Sequence, residues 1–169
     1  LANYADPTSA FLRFNLATVL IDSGNYGLSK EILDNFSKDD VFFLDSILEN
    51  TYAIEQLDSD KSALEYIEKF IIDGYGNAEL LKTYGSLQRN QSLFKEAIKS
   101  YTRAIEAARR ELYTEAIWSI LFLRGISFER LKNWSSAEAD FISALELSPD
   151  QPQILNYMGY SLLERQEKL

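Results

Sequence analysis

The side chains in this sequence whose types and spacing suit catalysis or metal binding are carboxylates. Cysteine and histidine are both absent from the 169 residues, which removes thiol nucleophiles, imidazole bases, disulfides and Cys/His zinc sites. Two acidic groupings remain, Asp39-Asp40 and Asp58-Ser59-Asp60. A calcium loop needs an Asp-x-Asp-x-Asp-Gly run, and neither grouping has it. Short acidic pairs also cap helices and close turns, and that is the role expected of these two. Gly74-Tyr75-Gly76 lacks the lysine-serine tail and preceding strand of a phosphate loop, and reads as the end of a helix. Arg109-Arg110 reads as a solvated helix face. The residues therefore lead to a chain that is not an enzyme and has no catalytic, metal-binding or cofactor-binding residue.

The charge is uneven. Of the 26 acids and 17 bases, residues 1–77 hold 14 acids and 5 bases, which accounts for the whole formal net charge of −9. Such a surface repels a phosphate backbone, so nucleic acid is not an expected partner. It would steer a basic protein segment, although solubility alone also accounts for acidity. There is no 18-residue apolar run, hence no expected membrane span, and no signal peptide at the start. The chain opens on Leu1 rather than Met, as a fragment or processed product would, so cytoplasm and bacterial cell envelope both stay open as locations.

Apolar residues recur at three- and four-residue intervals, the spacing of one helix face. Ala97, Tyr101, Ala104 and Ile105 form one such face, and Leu155, Met158, Gly159 and Leu162 another. The three prolines punctuate this pattern. Asp6-Pro7 reads as an N-cap followed by proline at the first helical position, and Ser148-Pro149-Asp150 separates two helices.

The helices repeat. Gly125, Phe128, Ala137, Phe141, Ala144 and Pro149 spell Gly-x2-Phe-x8-Ala-x3-Phe-x2-Ala-x4-Pro, and Ala63 and Ala97, at the place Ala137 holds, lie 34 residues apart. This spacing resembles the tetratricopeptide (TPR) repeat, a helix–turn–helix unit that stacks because it cannot bury its apolar face alone. The resemblance implies an all-α fold: an α-solenoid of antiparallel helix pairs, about four TPR repeats plus one extra helix, in a right-handed superhelix. Residues 1–169 then form one array with repeats at about 10–43, 44–77, 78–117 and 118–151. Residues 152–169 are either the first helix of a truncated fifth repeat or a cap. The stretch from Ser148 resembles junctions in long bacterial TPR proteins, a likeness covering mainly residues 118–165; the general likeness covers 10–165.

In this register the small site of each first helix holds Ala17, Thr51, Gly85, Gly125 and Gly159, and the bulky site of each second helix holds Leu33, Ile67, Tyr101 and Phe141. Repeats 1 and 2 depart from the pattern. Arg13 stands where a bulky residue is usual, Ser29 where alanine is, and Phe70 where a small residue is expected. Six extra residues follow repeat 3 within Glu106–Ile117; their helix-favouring composition points to a lengthened helix and a displaced turn.

By resemblance, function lies in the concave groove lined by first helices. The groove residues are Leu48 and Tyr52 in repeat 2, Lys82, Ser86 and Arg89 in repeat 3, Phe122, Ile126 and Arg130 in repeat 4, and Asn156, Tyr157 and Tyr160 in the last helix. TPR domains that grip a C-terminal carboxylate use lysine, asparagine and arginine at places held here by Phe14, Thr18, Glu49, Glu79 and Thr83, so that clamp is not expected. The leading reading is a non-catalytic scaffold that binds a peptide or partner protein. Two others stay open: a structural segment that self-associates through the last helix, and an accessory repeat domain of an enzyme whose catalytic part lies elsewhere.

Overall fold

A computed structural model describes residues 7–166. Among the described residues are nine α-helices, one short 3-10 turn and no strand. They form two compact units, one running through Tyr75 and one starting at Gly76.

The first unit contains α1 (Pro7–Asp22), α2 (Tyr26–Leu33), α3 (Phe43–Leu57) and α4 (Asp60–Ile72), each packed on the next. Pro7 opens α1, where its missing N–H costs no helical bond; Asp6, expected as the cap, lies outside the described residues. Gly24 ends α1 at φ +77°, a conformation that suits a residue without a side chain. The Gly24 N–H then reaches the Ile21 carbonyl and the Asn25 N–H the Leu20 carbonyl, closing the helix end at 2.9 and 2.7 Å. Gly74 closes α4 in the same way at φ +93°. The acidic groupings serve local structure: Ser59 caps α4 by accepting from the Ser62 N–H, and the Asp40 carboxylate accepts from the Ser37 N–H at 2.8 Å and from its hydroxyl at 3.0 Å.

The irregular residues of this unit are each compensated. Ser29, fully buried in the place of an alanine, donates to the Ala17 carbonyl at 2.9 Å. Thr51 donates to the Ile47 carbonyl of its own helix at 2.7 Å. Arg13 lays its guanidinium 4.7 Å from the centre of the Phe36 ring and 3.2 Å from Asp40. Phe70 joins Phe43, Tyr66 and Tyr75 in an edge-to-face aromatic cluster with centroids 5.2–6.5 Å apart.

The second unit contains α5 (Ala78–Asn90), α6 (Phe94–Arg110), a 3-10 turn (Thr114–Ala116), α7 (Ile117–Arg130), α8 (Trp134–Leu147) and α9 (Pro152–Gln166). The pairs α5–α6 and α7–α8 make its tightest contacts. α6 runs for 17 residues against 14 in α8, so part of the six-residue insertion is an added helical turn. The rest brings Glu111 back to the start of α5, where both carboxylate oxygens lie 3.2 Å from the Ala78 N–H. The Asn77 side chain caps the same end by accepting from Leu80 at 2.8 Å.

The seam in each pair is a ring laid on a glycine. A methyl group built at Gly85 would stand 2.9 Å from the Tyr101 ring, and one at Gly125 would stand 2.5 Å from the Phe141 ring. Tyr101 is fully buried and Phe141 is 3 % exposed, each flanked by buried alanines (Ala97 and Ala104, Ala137 and Ala144). At Gly159 nothing lies within 4 Å of the same construction.

Two predictions test these arrangements. Gly125→Ala gains helix propensity but drives a methyl group into a ring held on its far side, and is expected to destabilise by about 1–3 kcal/mol. Gly159→Ala is expected to be neutral or to stabilise by up to about 1 kcal/mol, both read by urea unfolding. Asp40 is held below its ordinary pKa, chiefly by the Ser37 N–H and further by the Ser37 hydroxyl and Arg13, against an opposing effect of burial. Its stabilisation is therefore present above the unfolded carboxyl pKa of about 3.9 and disappears as pH falls through the lower folded value. Asp40→Asn is expected to cost about 1–2 kcal/mol at pH 7. In a pH series of unfolding curves, that difference should shrink from pH 6 to pH 3.

Candidate interaction surface

The eleven positions that the resemblance assigns to a groove fall on both units. Leu48 and Tyr52 lie on α3 of the first unit, where Leu48 is half-buried and Tyr52 is 44 % exposed with its ring edge-on to Tyr26 at 6.1 Å. Glu49, beside them, has its carboxyl pKa raised first by burial and then by Asp22 and Asp45. The other nine lie on α5, α7 and α9 of the second unit.

On α5, Lys82 pairs with Glu79 at 2.5 Å, one turn back on the helix. The Ser86 hydroxyl lies 3.1 Å from the Tyr101 hydroxyl, so this groove position is tied to the ring that fills the Gly85 seam. Burial pushes the Tyr101 phenol up, with Ser86 and Arg89 acting in the opposite direction. Arg89 points an Nη toward the Asn90 side-chain oxygen at 3.4 Å, while its Nε is buried with no hydrogen-bond partner. Arg89, Asn90, Ser92, Phe94, Ile126 and Arg130 line one pocket of about 280 Å³. Ile126 is only 8 % exposed and serves as apolar floor. Two guanidinium groups and no carboxylate line this pocket.

Phe122 and Tyr157 take a different part. Their rings meet at 5.7 Å in a perpendicular pair, and both contact Phe141, at 5.9 and 5.6 Å. The Tyr157 hydroxyl donates to a Glu129 carboxylate oxygen. Burial raises the Tyr157 phenol pKa most, then the Glu129 carboxylate raises it further, against the weaker pull of Arg130 and Arg89. These two aromatics hold α9 onto α7 and α8. Asn156 and Tyr160 turn outward, Tyr160 with 72 % of its surface exposed.

The sequence reading omitted the polar tie beneath this surface. Arg124 grips Asp140 with two nearly parallel bonds, Nε at 2.8 Å and Nη at 2.7 Å, and its remaining Nη donates to Thr102 at 3.0 Å. The buried Asp140 on α8 is thereby joined to α7 and α6. The signal available in the sequence was an arginine on a first helix and an acid 16 residues on. Nothing in one-dimensional spacing singles that pair out.

No family model matches the chain, and no curated protein matches it in sequence. Solved structures do match. Pseudomonas aeruginosa PilF superposes with a TM-score of 0.77 at 21 % identity, over 94 % of this chain and 69 % of its own. A MamA double mutant (RS-1) gives 0.75 at 14 % identity, over 96 % and 86 %. YrrB, described as a TPR protein with an unusual peptide-binding site, gives 0.69 at 15 % identity, over 91 % and 76 %. The chain thus has the TPR fold of sequentially packed antiparallel helix pairs. No described helix is long and apolar enough to cross a membrane.

The two kinds of aromatic should separate on mutation. Tyr157→Ala removes a ring wedged among three helices and is expected to cost about 2–4 kcal/mol. Tyr160→Ala should stay within about 0.5 kcal/mol of wild type. Thermal unfolding followed by circular dichroism distinguishes them.

Proposed function

We propose that this chain is a non-catalytic interaction module whose second unit holds a peptide or an extended segment of a partner protein along α5, α7 and α9. The observation that carries this reading is the pocket between α5 and α7, where Arg89 and Arg130 flank an apolar floor of Ile126 and Phe94. Arginine above an apolar floor supplies both the directional and the desolvated parts of an anchor point. Tyr160, on the outward side of α9, adds an exposed ring of the type that dominates interface energetics. YrrB, with its peptide-binding site on the same fold, lends support by likeness. Ser86, Phe122 and Tyr157 then act beneath this surface, shaping it through Tyr101, Phe141 and Glu129 rather than meeting the partner first.

The test is a displayed peptide library selected against the folded chain, followed by titration of a recovered peptide. Arg130→Glu and Tyr160→Ala alter exposed side chains and should leave the circular dichroism spectrum unchanged. Each is expected to weaken the peptide by about tenfold or more, equivalent to about 1.4 kcal/mol. Unchanged affinity in both folded variants would remove the groove as the binding site.

A further inference from the structure

The pocket between α5 and α7 has a third source of positive charge besides its two arginines. Arg89 and Arg130 stand in the last turns of their helices. Phe94, the first residue of α6, and Ser92 in the turn before it line the same space. At the corresponding start of α8, the Asn133 side chain accepts from the Ser136 N–H. Leu93 holds that cap position in α6 and has no side-chain oxygen to offer. The pocket thus adjoins a helix N-terminus without a side-chain cap. Glu96, the acid in that first turn, does not line the pocket. Among the described residues neither arginine forms an ion pair, whereas Arg124 on α7 is fully engaged by Asp140 and Thr102. The Arg89 Nε is buried without a hydrogen-bond partner, and an Nη reaches the Asn90 oxygen at a long 3.4 Å. Glu129, beside Arg130 in the chain, gives its carboxylate to the Tyr157 hydroxyl. The C-terminal ends of α5 and α7 oppose an anion with about half a charge each, which two whole guanidinium charges outweigh.

We infer that this pocket is an oxyanion subsite, taking a carboxylate or phosphate group carried on a side chain of the bound segment. The source of the anion rests on the peptide-binding reading above; the chemistry of the pocket does not. Arg89 and Arg130 supply charge-assisted hydrogen bonds, and the start of α6 adds its partial positive charge. Ile126 and Phe94 give the stem that carries the anion an apolar floor. The arrangement differs from the clamp for a terminal carboxylate, whose places are held here by Phe14, Thr18, Glu49, Glu79 and Thr83.

The probes are N-acetyl-glutamate methylamide and inorganic phosphate, each titrated at constant ionic strength. The readout is the Arg89 Nε–H resonance in heteronuclear NMR spectra, which its burial protects from exchange with water. At least one probe is expected to shift it. Arg130→Gln and Leu93→Asn change exposed side chains, and each should weaken that response about tenfold or more. Leu93→Asn acts by giving α6 the cap that α8 already has. In a peptide selected on the folded chain, replacing its acidic residue by the matching amide should cost about tenfold against wild type and little against Arg130→Gln. Phosphoserine in place of that acid shows which oxyanion fits better. Three results overturn the inference: neither probe moves the resonance; both variants respond as the wild type does; or acidic and neutral forms of the peptide bind equally. If Arg130→Glu still weakens both peptide forms in that last case, the groove stands and only the oxyanion falls. A probe response that persists while Arg130→Glu and Tyr160→Ala leave peptide affinity unchanged keeps the chemistry of the pocket and removes the groove.

Discussion

The distance between paired helices in the second unit is set by one contact, an aromatic ring lying directly on a glycine. Helices that carry side chains at the crossing stand about 8–10 Å apart; removing one side chain lets a ring take its place and brings the backbones together. The remaining features of the pair follow from that approach. Alanines on either side of Tyr101 and Phe141 are required, because larger residues would hold the helices apart before the ring made contact. The Ser86 hydroxyl meets the Tyr101 hydroxyl because the ring's far end emerges beside Ser86 on α5. The outer surface thus inherits its shape from a contact beneath it.

The first unit meets the same packing requirement by other means. Its small sites hold Ala17 and Thr51, and the seam residues opposite are Leu33 and Ile67, aliphatic rather than aromatic. Helix α2 is only eight residues long, and Phe36 in the following turn completes the core that a longer helix would have formed. Arg13 bridges that turn by stacking on Phe36 and pairing with Asp40. A charge in a place that calls for an apolar residue is tolerable there because its flat guanidinium is satisfied on its face by a ring and at its edge by a carboxylate.

The helices and their register were legible in the sequence wherever the deciding signal was local. Gly125, Ala137 and Phe141 mark a pair because small and bulky residues must sit opposite each other at a fixed helical offset. Part of the insertion after repeat 3 was legible as added helix, because Ala107 to Arg110 favour helix whatever they touch; Glu111 and Leu112, read with them, lie beyond its end. Residues that match across longer stretches were not legible: Glu111 with Ala78, 33 apart, and Tyr157 with Glu129, 28 apart. Each is one polar residue among many until the fold brings its partner near. By resemblance alone, the sequence named eleven candidate surface positions. It did not separate Tyr160, which stands in solvent, from Tyr157, whose ring is spent on holding α9, since both are tyrosines on one helix and differ only in their neighbours.

The fork between Arg124 and Asp140, with its third arm on Thr102, bears on how the second unit comes apart. Stacked helix pairs contact only their neighbours, and such arrays tend to fray one repeat at a time. Arg124 belongs to α7 but holds α6 and α8 at once. Peeling away either neighbour leaves a charged group facing a partly dry interior with a lost contact, so the opening of one helix raises the free energy of leaving the next in place. The fork thereby couples α7 to both of its neighbours through one side chain.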